Sequence, residues 1–106
     1  MKNAINVMYK YAIPEGGNAI LEGFFTNKNF KAGKQGDKLV LWAENNLTKR
    51  DEFNGYVLKE DNDKTKVEVM VLGTGWYYDK HWGWKYIDTI QMDDGLVWHV
   101  FVRPIQ

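Results

Sequence analysis

QMDDGLVWHVFV, residues 91–102, is the stretch on which the fold class turns. Asp94-Gly95 is a strong tight-turn signal, and the run after it is apolar on both sides at period two. Leu96, Trp98, Val100 and Val102 share one face, and Val97, His99 and Phe101 share the other. A strand of this kind lies in the middle of a sandwich or barrel, or turns one face to another subunit. Residues 84–91, before the turn, are the other arm of a hairpin.

Similar patterns recur outward from this hairpin. In LVLWAE, residues 39–44, Leu39, Leu41 and Ala43 face one way and Val40, Trp42 and Glu44 the other, which predicts a central strand with both faces at least half covered. Residues 56–60 and 65–72 flank Asp61-Asn62-Asp63 and are predicted to pair as a second hairpin, with Val67, Val69 and Val71 lining its buried face. Ile5 to Ile13 reads as a first strand stopped by Pro14 and Gly16-Gly17, and Ala19 to Phe25 as a second. Gly23 inside that run marks a bulge or a close backbone approach. Phe30, Ala32 and Lys34 alternate weakly before a turn at Gln35 to Asp37. The polar segment ENNLTKRDEFNG, residues 44–55, is a loop with room for one helical turn at Leu47 to Phe53. No long stretch keeps an apolar stripe at helical spacing. These patterns predict one all-β domain over residues 1–106, a small antiparallel sandwich or partly open barrel of seven to eight strands with little or no helix.

Composition narrows the function classes. The formal net charge is zero, so no whole-molecule field attracts duplex nucleic acid. The halves differ: residues 1–50 carry eight Lys and Arg against four acids, and residues 51–106 six against ten, giving +4 and −4. The fold is expected to interleave these halves and average the charge away; the alternative is a basic flank of Lys28, Lys31, Lys34 and Lys38 that meets an anion. With no cysteine there is no disulfide or thiolate metal site, which fits a reducing compartment. Neither a signal peptide nor a membrane-spanning run is recognisable, so a cytoplasmic protein is expected.

The feature in need of explanation is GTGWYYDKHWGWKY, residues 73–86. Gly73-Thr74-Gly75 follows a strand, but a phosphate loop needs a helix N-terminus next, and the aromatic run does not resemble one, so the glycines are read as a turn. His81 and His99 lack the spacing of a metal or catalytic site. His99 is expected to be a hydrogen-bonded structural residue and His81 an exposed donor. No cofactor and no metal is expected, and the chain is not read as an enzyme. Half of the large rings can be assigned to the core, but a domain this small cannot bury them all, so some must be exposed or lie in an interface. Trp76, Tyr77, Tyr78, Trp82 and Trp84, with Lys80, His81 and Lys85 among them, therefore form the predicted ligand-binding surface. It would combine flat stacking faces with charge-assisted donors.

Several segments carry a resemblance: Tyr9-Lys10-Tyr11 with Ile13-Pro14, LVLWAE at 39–44, Gly73-Thr74-Gly75, Tyr86-Ile87-Asp88-Thr89-Ile90-Gln91, and Leu96-Val97-Trp98-His99-Val100-Phe101. In these the chain resembles a family of small, functionally uncharacterised proteins encoded mainly by bacteriophages and prophages. It departs from that pattern in two places. Relatives usually pass from Gly-Thr-Gly to the next strand through a short loop with a proline, where this chain inserts the aromatic segment, and Asp88 stands where a glycine is common. The resemblance implies phage origin and a compact β-domain, and supplies no catalytic residues. With that background the expected function is non-enzymatic binding in counter-defence within the host cell. The ligand would be a small nucleotide-type signal sequestered by the aromatic loop; the alternatives are inhibition of a host defence protein through the same loop, and glycan binding. A homo-oligomer is expected, because the two-sided strand at 96–102 needs cover.

Overall fold

A computed structural model of the chain describes residues 4–79 and 82–105. Among the described residues nine strands run in the order β1 (Asn6–Ala12), β2 (Gly17–Gly23), β3 (Lys31–Gln35), β4 (Lys38–Asn46), β5 (Thr48–Asp51), β6 (Gly55–Leu58), β7 (Thr65–Gly73), β8 (Lys85–Gln91) and β9 (Val97–Ile105). A single 3₁₀ turn lies at Asp61–Asp63. The architecture is the all-β, antiparallel fold predicted from the sequence; of the two expected forms it is the sandwich and not the partly open barrel, and it has nine strands where seven to eight were expected, because residues 47–58 add a pair. One sheet has the order β1-β4-β3 and the other β2-β7-β9-β8, and β5 and β6 form a separate two-stranded ribbon. Among the described residues no helix is long and apolar enough to cross a membrane.

Period-two patterning builds the interior. Leu39, Leu41 and Ala43 of β4 face Val67, Val69 and Val71 of β7 and Trp98, Val100 and Val102 of β9, and all of them are buried. Each such aliphatic side chain withdrawn from water stabilises the fold by about 1.5–3 kcal/mol. Polar contacts join the layers at two of their margins. At one, the Ala32 N–H on the edge of β3 donates to Asp88 Oδ2 of β8 at 2.7 Å, beside a register shift between Tyr86 and Asp88. At the other, the chain leaves β2 and makes a bridge between Phe25 and Asn45 of β4. Asn45 is fully buried; its Oδ1 accepts from Phe24 N–H at 2.7 Å and from the Tyr11 hydroxyl at 3.3 Å, and its Nδ2 donates to the Ala43 carbonyl at 3.1 Å. A Cβ at Gly23 would stand 2.7 Å from both Asn45 Oδ1 and the Tyr11 oxygen, which is the close approach expected of that glycine.

Three local expectations are corrected. Residues 47–53 hold no helical turn; β5 and β6 pair there, with the Asp51 carboxylate accepting from the Phe53 and Asn54 N–H groups to close the turn. Consequently β6 is not the partner of β7, which pairs instead with β2 and β9. The charged halves are interleaved only in part: β2 joins β7 in the second sheet and Lys34 pairs with Asp93, but the β1-β4-β3 sheet is drawn wholly from residues 6–46, so part of the basic excess stays on one layer.

The order of the second sheet sets the course of the aromatic segment. β9 pairs antiparallel with both β7 and β8, so β7 and β8 run in the same direction with β9 between them. Gly73 at the end of β7 is level with Trp98, whereas Lys85 at the start of β8 is level with Val102. Parallel strands need a crossover connection. The chain between Gly73 and Lys85 must therefore return along β9, and Tyr78 and Trp84 of that segment lie on the outer face of the sheet.

Candidate functional site: an aromatic crossover on the outer face

The crossover covers an apolar surface that the alternation of β7 and β9 turns outward. Met70, Leu72 and Phe101 form a buried cluster there, with Trp84 packed against it. Tyr78 lies over Phe101 with ring centroids 4.6 Å apart, and Tyr86 meets the same ring edge-on at 5.5 Å. The cover that the two-sided strand required is thus supplied within the chain, and Phe101 is left only 7% exposed. The case for assembly through this strand falls away with it.

Arg103 secures the far end of the crossover. Its guanidinium lies 4.3 Å from the Trp84 ring centroid and 5.5 Å from that of Trp82, and it donates from Nη1 to the Trp82 carbonyl at 3.0 Å. Nε and Nη2 donate to Glu68 Oε1 at 2.9 and 2.6 Å, and Glu68 Oε2 accepts from Asn18 Nδ2 at 3.0 Å. The Asn18 amide and the Arg103 guanidinium hold the Glu68 carboxyl below its ordinary value, against the partial burial that would raise it. Trp82 donates its indole N–H to Asp79 at 2.9 Å.

Trp76 is held differently. A Cβ at Gly73 would stand 2.9 Å from its Cε2 and Nε1, and one at Gly16 3.2 Å from its Cη2. Its ring meets Trp98 at 82° with centroids 5.7 Å apart. Two glycines and a perpendicular indole therefore seat Trp76 on the end of the sheet, yet the residue remains 53% exposed. It is a wall of two shallow grooves. One, of about 230 Å³, is lined by Leu72, Gly73, Gly75, Trp76, Tyr78, His99 and Phe101. The other, of about 280 Å³, is lined by Gly73, Thr74, Trp76, Gly95, Leu96, Val97 and Trp98.

A hydroxyl–imidazole chain runs beside these grooves. Thr74 Oγ1 is 2.9 Å from His99 Nε2, Thr89 Oγ1 is 2.9 Å from His99 Nδ1, and the Tyr86 hydroxyl is 2.6 Å from Thr89 Oγ1. Both ring nitrogens of His99 are engaged, as expected of a structural histidine, while the same ring lines a groove. The Gly-Thr-Gly turn, the Thr89 strand and the His99 strand, which are separate in sequence, meet at this point.

Of the predicted binding residues, Trp76, Tyr77, Tyr78 and Trp82 are exposed, Trp84 is half-buried under Arg103, and Lys85 is exposed at the start of β8. Lys80 and His81 lie outside the described residues. Among the described residues no group of His, Cys, Asp and Glu could hold a metal ion. A family model for a domain of unknown function matches residues 5–106. The chain belongs to the DUF7352 family. No curated protein and no solved structure matches it.

In this DUF7352 domain, sequence reasoning missed Thr74, Thr89, Phe101 and Arg103 as parts of the site. A usable signal existed in β9, where alternation places His99, Phe101 and Arg103 together on the face away from the core. What covers that face depends on the strand order, which the sequence does not display.

Proposed function

We propose that this DUF7352 domain is a non-enzymatic binding module that takes a small planar ligand of nucleotide type beside Trp76. The observation that carries the reading is the seating of that indole. A tryptophan held against two glycines and Trp98 while more than half exposed is pre-organised for stacking, so little ordering cost remains when a flat ring arrives. The groove on its Tyr78 side adds apolar walls from Leu72 and Phe101 and a hydrogen-bonding edge at His99, a few polar groups in an otherwise aromatic site. Its volume suits one ring system with its sugar. In a phage-infected cell such a module would sequester a nucleotide signal from a host defence.

Calorimetry and thermal shift against mononucleotides and cyclic nucleotides test this reading. Trp76→Ala is expected to weaken binding about tenfold or more, the worth of one stacked base. Gly73→Ala, which keeps the ring but pushes it from its seat, is expected to weaken it as well. If no nucleotide raises the melting temperature, the reading is wrong.

One observation favours a second reading, in which the same surface docks a host protein. Tyr77 is 99% exposed and touches neither groove, as befits an aromatic anchor that fills a partner's pocket. Stoichiometric recovery of a bacterial protein that Tyr77→Ala fails to recover would favour this reading over the first.

A further inference from the structure

We infer that the outer face of the β1-β4-β3 sheet is a second, separate site, which binds single-stranded nucleic acid by stacking a base on Trp42 between two lysines. The register makes the arrangement explicit. Trp42 of β4 is paired with Lys10 of β1 on one side and with Lys31 of β3 on the other, so the three side chains form one row across the sheet. Side chains directly opposite one another in neighbouring strands are about 5 Å apart at Cβ. Lys10 and Lys31 therefore start on either side of the indole, and the Lys10 ammonium reaches across β4 to Gln35 Oε1 of β3 at 2.6 Å, which leaves two cations on this face to meet the phosphates of a stacked base.

The indole is laid down rather than raised. A Cβ at Gly33 would stand 2.8 Å from Trp42 Cζ3 and 3.3 Å from Cη2, so the ring extends over the bare backbone of β3. Gly33 is the register partner of Val40, whose side chain shares this outer face and is nevertheless only 6% exposed. Trp42 is partly exposed, so an indole spread over Gly33 keeps some of its surface at the solvent.

Charge complementarity selects the occupant. The strand positions of this face hold three lysines, Lys10, Lys31 and Lys38, all exposed and none in an ion pair among the described residues. They hold one carboxylate, Glu44, whose oxygens accept from the Thr26 hydroxyl and the Asn29 amide at its own end of the strand. Lys10 donates to the neutral Gln35 and not to a carboxylate. Unneutralised lysines around a flat ring match the aromatic and cationic pattern by which single strands are gripped without sequence readout. A duplex hides its base faces and would meet only the lysines. The basic residues lie on this layer because β1, β3 and β4 all come from the first half of the chain, so the local field is not cancelled by the acidic second half.

Fluorescence anisotropy with labelled ten-nucleotide dT and rU strands at low salt tests the inference. A duplex of equal length and inorganic polyphosphate serve as comparisons. Single strands are expected to bind more tightly than either, and Trp42→Ala to weaken binding about tenfold. The double variant Lys10→Gln/Lys31→Gln alters only exposed side chains. It is expected to reduce the slope of log affinity against log salt by about 1.4, the release of two counterions from a single strand. Trp76→Ala should leave this binding unchanged, which separates the site from the crossover. Failure of both strands to bind, equal affinity for duplex or polyphosphate, or indifference to the double lysine variant would each overturn the assignment.

Discussion

Replacing Arg103 by alanine is expected to lower the stability of the domain by about 2–3 kcal/mol and to release the aromatic crossover from the sheet. The guanidinium is stacked against two indoles, each contact worth about 0.5–2 kcal/mol, and it is the ion-pair partner of Glu68. Both partners of that pair are largely covered, with side chains 25% and 18% exposed, so truncation leaves a poorly solvated carboxylate opposite a void. For a domain of this size the melting temperature should fall by roughly 10–20 °C. Arg103→Lys should recover little, because an ammonium can neither stack between the rings nor donate from two nitrogens to one carboxylate oxygen while also reaching the Trp82 carbonyl. Hydrogen exchange should show faster exchange at residues 76–84 in the variant. A melting temperature within 2 °C of the parent would mean that the stack, estimated at about 2–3 kcal/mol, does not hold the crossover.

The same contact carries a pH dependence of fixed sign. Glu68 is held below its ordinary value of 4.5 in the folded chain, so below that pH the unfolded chain binds the proton more readily. The stabilisation from its ionised form is present above pH 4.5 and is lost as the pH falls through the lower, folded value. Melting curves recorded from pH 6 to about pH 3 should therefore steepen in the acid range, and Arg103→Ala should flatten part of that decline.

Asn45→Ala is expected to cost about 3 kcal/mol, or roughly 15 °C in melting temperature. The side chain has no exposure, and its amide oxygen is the acceptor for the Phe24 N–H where the chain passes from one sheet to the other. Removing it orphans a backbone donor, at about 1–3 kcal/mol, and opens a small cavity between Tyr11, Gly23 and Phe25. A second effect distinguishes this loss from an ordinary core truncation. Exchange protection should fall first at residues 24–26 and 43–46, where the layers are joined, before the β7 and β9 strands are affected. A variant that melts as the parent does would show that water replaces the asparagine at no cost.

Alternation was enough to find most of the sandwich. The two-sided pattern of 96–102, the hairpin through Asp94-Gly95 and the central position of LVLWAE follow from period two and turn chemistry, which act over a few residues. So did the surplus of aromatic surface, because a count of rings against the interior of a 106-residue domain needs no coordinates. Five aromatic residues of the 76–86 segment are indeed about half exposed or more.

What eluded the sequence is partnership at long range. The DND segment resembles a hairpin turn, yet β6 pairs with β5 because the Asp51 carboxylate closes a turn that its neighbours do not advertise. The placement of β9 between β7 and β8 is likewise invisible to local patterning, and it converts residues 74–84 from a loop into a crossover. That placement brings Tyr78 onto Phe101, Arg103 between two indoles, and Thr74 to His99. The sequence by itself determined which side chains alternate inward and that the rings exceed the interior. Only the tertiary structure decided which rings shield the sheet and which face solvent, because that depends on strand order, and strand order is fixed by burial and hydrogen bonding between segments far apart in the chain.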